Sequence, residues 1–178
     1  PRYNHINLAW KHSYSGDVLF GDTRLPFRVL SGVHPINNQI KVHLIDEQAY
    51  VSSNQYDDAK RNGVFCLAIA SWIKNTKNNW DVVHVHDWHS ALLPLMLKKD
   101  EINIPTILTI HNLLYQGICP ANLANDLHLP TSWTDLSWDL GNGDMNFMLE
   151  GIMYADQITA VSPTYAREIQ EVELGGGL

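Results

Sequence analysis

The chain has 178 residues, 45% of them hydrophobic, which suffices for one sizeable core and excludes a disordered or fibrous protein. Its 12 Lys and Arg against 19 Asp and Glu give a formal charge of −7, so nucleic acid and other polyanions find no general attraction here. No apolar run reaches the roughly 18 residues of a membrane span, and Cys66 and Cys119 lack the paired spacing of a disulfide framework or zinc site, fitting core positions in a reducing compartment instead.

The opening Pro1-Arg2-Tyr3 has neither Met nor a signal-peptide core, so the chain is expected to begin mid-protein. In the first forty residues, Val18-Leu19-Phe20 before Gly21-Asp22 and Phe27-Arg28-Val29-Leu30 before Ser31-Gly32 predict short antiparallel strands, followed by a strand over Ile40–Ile45. A polar loop over Ser52–Asp58 precedes a change of period. Val64, Leu67, Ala68, Ser71 and Trp72 share one helical face, and Asn75 to Asn79 close that helix. Strand and helix then alternate as in a parallel sheet: a strand over Asp81–His86, a helix over Ser90–Lys99 and a strand over Thr106–Ile110. Pro94 is tolerable only in a first turn, so that helix starts after Ser90 or kinks. The segment Asn112–Gly143, broken by Gly117, Pro120, Pro130 and Gly141, predicts a surface excursion. Met145–Tyr154 predicts a helix and Gln157–Val161 a short strand. Ser162-Pro163 is an N-cap with proline at the first helical position, opening a helix through Glu171. The terminal Leu174–Leu178, with three glycines, reads as a linker or loop.

Three successive predicted strands end in polar residues: His86-Asp87, His111-Asn112 and Ser162. In open parallel sheets the carboxyl ends of strands line the ligand crevice, so these residues should converge on one site. The run His84-Val85-His86-Asp87-Trp88-His89 invites a metal reading. Its spacing departs from the binuclear hydrolase pattern, in which the aspartate and last histidine adjoin, because Trp88 separates Asp87 from His89. His84 on the strand reads as a histidine satisfied within the sheet, while Asp87 and His89 beyond its end read as functional. His111 and Asn112 offer donors and acceptors suited to sugar hydroxyls, with turn capping as the structural alternative. Trp88 is assigned to core packing, and Tyr115 could offer a ring face to a pyranose.

At these residues the chain resembles the glycogen and starch synthases. Asp81–Ala91 is similar to the family motif around His-Asp-Trp-His. Ile104 to Leu113 with Tyr115-Gln116-Gly117 resembles a second signature, and Asn146 to Ile169, including Tyr154-Ala155-Asp156 and Thr159–Ile169, a third. The first eighty residues match more loosely, through Val42–Asp46 and Tyr56. The resemblance implies an α/β fold, a Rossmann-like, mostly parallel sheet flanked by helices, with residues 1–178 forming an incomplete N-terminal domain of a GT-B glycosyltransferase. It implies glucose transfer from ADP-glucose or UDP-glucose to the non-reducing end of an α-1,4-glucan with retention, and neither a cofactor nor a metal. His111 would be catalytic, bonding the transferred glucose and stabilising its oxocarbenium character. Asn112 would hold the same sugar, Asp87, His89 and Tyr56 would line the acceptor side, and Gln116 and Gly117 would shape the loop beneath. A cytoplasmic or plastid location follows from the same resemblance.

The chain departs from the family in lacking the Lys-x-Gly-Gly-Leu loop after a first strand, whose amides and lysine approach the donor diphosphate. It also lacks the second domain that holds the nucleotide, so this piece alone is expected to be inactive. Other readings are another GT-B transferase, a glucan-binding module without catalysis and, less favoured, a metallohydrolase. A dinucleotide-dependent dehydrogenase is disfavoured because no Gly-x-Gly-x-x-Gly follows a predicted strand.

Overall fold

The computed structural model describes residues 9–47, 58–130 and 143–178. Strands β1 (Lys11–Phe20) and β2 (Thr23–Val33) form an antiparallel hairpin across Gly21-Asp22, and β3 (Lys41–Glu47) adds to the far side of β2. The tight turn requires the positive φ of 53° at Gly21. Both hairpin strands run longer than the apolar patterning predicted, because antiparallel pairing continues through polar residues that face outward. One face of this sheet presents Val18, Leu25, Phe27 and Val29 to the interior.

Helix α1 (Ala59–Asn75) begins at Asp58, whose Oδ1 accepts the amides of Lys60 and Arg61 at 3.0 and 3.3 Å. It closes where Thr76 Oγ1 donates to the Trp72 carbonyl. Two stripes of this helix are buried. Val64, Ala68 and Trp72 lie four residues apart and pack on the antiparallel sheet, whereas Cys66, Ala70 and Ile73 enter a second, larger cluster. The predicted apolar face was the first stripe alone.

A second sheet is parallel, in the order β4 (Val83–His86), β5 (Thr106–Ile110), β8 (Gln157–Ala160). Val85, Leu108 and Ile110 point into the larger cluster, so period-two alternation turns His84 and His86 to the opposite, exposed face. The starts of β5 and β8 are tied by Asp156, whose Oδ2 accepts the Thr106 amide at 2.7 Å and its hydroxyl at 2.8 Å. After β4 the chain makes one turn, α2 (Asp87–Ser90), and only at Leu93 begins α3 (Leu93–Lys99), with Pro94 in the first turn as its chemistry demands.

The segment after β5 corrects the expectation of a surface excursion. Strand β6 (Ile118–Pro120) pairs antiparallel with β7 (Asp144–Asn146), and α4 (Leu123–Asp126) lies between them in sequence. Leu113, Cys119, Leu123, Ala124, Leu127 and Leu129 join the larger core. Leu127 sits against α1 so closely that a Cβ on Gly63 would meet its Cδ2 at 2.8 Å. The hairpin tip is tied to the same segment, the Gly21 amide donating to Asp126 O at 2.8 Å and His128 Nε2 to Gly21 O at 3.1 Å. These apolar residues sustain no period over more than about one turn, which is why their burial was not evident. Helix α5 (Phe147–Tyr154) follows β7 directly, and α6 (Pro163–Glu168) is capped by Ser162 as predicted, ending three residues early.

Candidate functional site

The carboxyl ends of β4 and β5 meet through Asp87. Its Oδ1 accepts the backbone amides of His111 at 2.8 Å and Asn112 at 3.2 Å. Asp87 itself takes a left-handed φ of 53°, a conformation that aspartate tolerates better than most residues, at the point where strand passes into α2. The carboxylate thereby sets the path of the backbone just past β5. Asn112 turns its Oδ1 to the Leu114 amide at 3.1 Å, so part of its capacity is spent on the turn.

His111 is exposed at the strand end, and its Nε2 lies 3.0 Å from Nδ1 of His86. The His86 and His84 rings are 4.3 Å apart on the open face of β4, and His84 Nε2 bonds Thr109 Oγ1 at 2.6 Å, as expected of a histidine satisfied within the sheet. Partial burial, then the neighbouring imidazoles of His84 and His111, hold His86 below the usual histidine pKa; Asp87 opposes them. Among the described residues, no three His, Cys, Asp or Glu side chains are arranged to hold a metal ion.

His89 stacks on Trp88 with ring centroids 4.3 Å apart and its Nε2 enclosed by protein. Trp88 is buried in the core, as assigned, and lies edge-on to Phe147 at 6.1 Å. Gly117 follows from this packing. It has a φ of 69°, and a Cβ there would fall 2.2 Å from Trp88 Cε3. Gln116 is buried and holds the loop from three sides. Its Oε1 accepts from Asn146 Nδ2 at 2.6 Å, its carbonyl from the Met148 amide at 3.0 Å, and its Nε2 donates to Gly176 O at 2.9 Å. These contacts give Gln116 and Gly117 a loop-shaping role. Tyr115 is exposed and offers a free ring face, and Tyr56 lies outside the described residues.

The third strand end comes alongside that of β5 as predicted, Ala160 pairing with Ile110, but the Ser162 side chain is used elsewhere. Ser162 Oγ caps α6 by accepting the Tyr165 amide at 3.0 Å, and the link to the site comes from the Tyr165 hydroxyl, which accepts the Leu113 amide at 2.8 Å. Tyr165 is thus a site residue that the motifs contained without marking, whereas His86, expected at the site as a strand end, does arrive there beside His111. The alternation that paired His84 with His86 on one face was the available signal for His86; Tyr165 had none, because its partner lies 52 residues away.

The family profile described as starch synthase catalytic domain matches residues 1–178. A glycogen synthase of Desulfitobacterium hafniense is 35% identical over 97% of this chain and 36% of its own length. That of Halalkalibacterium halodurans is 30% identical over 100% of this chain and 39% of its own. The chain therefore spans little more than a third of the curated relatives it matches. Among solved structures, the catalytic domain of starch synthase IV from Arabidopsis thaliana, bound to ADP and acarbose, superposes with a TM-score of 0.79 over 97% of this chain and 37% of that one. At 22% identity that likeness speaks for the fold, an α/β domain of the GT-B kind.

Proposed function

The chain belongs to the starch synthase catalytic domain family, and from that premise we propose that its protein transfers glucose from a nucleotide sugar, ADP-glucose, to the non-reducing end of an α-1,4-glucan with retention. Residues 1–178 supply part of the N-terminal domain, namely the acceptor side of the cleft and part of the sugar pocket. The diphosphate machinery lies elsewhere in the protein, and this chain alone is inactive. The observation that carries the reading is the clasp of Asp87 on the His111 and Asn112 amides, which sets an exposed imidazole and amide at the junction of two parallel strand ends.

In this reading His111 meets the glucose with its ring and backbone carbonyl as positive charge develops at the anomeric carbon, a preorganised acceptor in place of water. Asn112 bonds the same sugar with the amide capacity its turn leaves over. Asp87 acts chiefly through the backbone it holds, and Tyr115 offers an apolar face to the glucan. No metal and no cofactor take part.

Incorporation of labelled glucose into glycogen by the full-length protein tests the proposal, with ADP-glucose and UDP-glucose run in parallel. ADP-glucose should be the better donor, and His111→Ala should lower kcat by about 10²- to 10³-fold with the fold retained. Glycogen binding with no transfer from either donor would instead mark a glucan-binding module.

A further inference from the structure

We propose that His86 is a positioning residue for His111, its Nδ1 accepting the His111 Nε2 proton across 3.0 Å so that His111 keeps an unprotonated Nδ1 for the sugar. The inference rests on the glucosyl-transfer reading and adds to it the group that sets the state of the imidazole. A neutral histidine has one donor nitrogen and one acceptor, and which is which follows from the bond that one of them makes. Nε2 of His111 is committed to His86, and its Nδ1 has no hydrogen-bond partner among the described residues. In the proposed arrangement the lone pair of that free nitrogen faces the developing positive charge on the sugar, and this tautomer places the proton on Nε2, facing His86.

The surroundings of His86 keep it able to accept. Its ring is flanked by His84 on the same strand, by Thr109 at its register position on β5 and by His111 beyond. A proton on His86 would face two other imidazoles and a partly desolvated setting, with only Asp87 in its favour. The backbone around it is pinned as well, because Ser90 Oγ lies 2.9 Å from both the His86 amide and its carbonyl.

Steady-state kinetics on the full-length enzyme test this with three variants. His86→Ala should lower kcat by about 10- to 100-fold while leaving KM for glucan and donor near the wild-type values. His86→Asn places an amide oxygen close to the position of Nδ1 and should recover most of that loss. His86→Leu, which has the shape of Asn without the acceptor, should behave like the alanine variant, and this pair decides the matter even if alanine loosens the strand. Wild-type kcat in His86→Ala, or equal impairment of the Asn and Leu variants, overturns the role of His86 while transfer by the wild type preserves the broader reading. A full-length wild type that transfers no glucose overturns both.

Discussion

Gly117 and Trp88 depend on each other. A side chain at residue 117 would enter the indole ring and would also strain a backbone at φ 69°. Gly117→Ala should therefore cost about 3 kcal/mol or more, adding overpacking to the left-handed penalty, and chemical denaturation will read it as a lower midpoint with unchanged slope. The motif around Tyr115-Gln116-Gly117 pointed to a loop but could not reveal why glycine stands there, since the reason is a ring 29 positions earlier in the chain. Asp87 shows the complementary limit. Its place at a strand end was legible from alternation and the following turn. That its carboxylate would be used on two amides, instead of standing free, depends on how β5 pairs beside β4. Tyr165, whose hydroxyl holds the Leu113 amide, had no mark in sequence for the same reason.

Among the elements, β5 and β8 are locked at their starts by Asp156. Hydrogen bonds from Thr106, with help from Lys98, hold its carboxyl below the ordinary 3.8. On acidification the unfolded chain takes up this proton first. The contribution is complete above 3.8 and fades as pH falls below it through the lowered value, so acid titration of stability should be shallower there in Asp156→Ala. At neutral pH the same substitution leaves the Thr106 amide and hydroxyl without their acceptor, at a cost on the order of 1 kcal/mol by thermal or denaturant melting. The alternation of strand and helix from Val83 onward was readable because each element carries its own signal: β-branched runs, the Ser162-Pro163 start, the Pro94 constraint. The short β6–β7 pair and α4 were not, because elements of three or four residues contain too little of any period to show it repeating.

For the whole molecule, the α/β class and the parallel sheet followed from the order of these signals, while the second buried stripe of α1 required knowing that it packs on the antiparallel sheet on one side and on α2 and α3 on the other. Cys66 sits within that second stripe. Burial pushes its thiol up to about 12, and Cys119 is likewise enclosed. A thiol-reactive dye near neutral pH should label neither cysteine in the native protein and both after denaturation, with native-state labelling no faster than opening of the core. Rapid labelling of Cys66 without denaturant would contradict this packing.

The doubly buried helix has a further consequence for motion. Because α1 supplies both hydrophobic clusters with side chains from one rigid rod, neither cluster can loosen without withdrawing contacts from the other. Amide protons in the middle of β2, α1 and β5 should therefore exchange with one common protection factor, as a single foldon, although β2 and β5 belong to different sheets. The imidazole at the end of β5 would then be anchored to a scaffold that opens all at once or not at all.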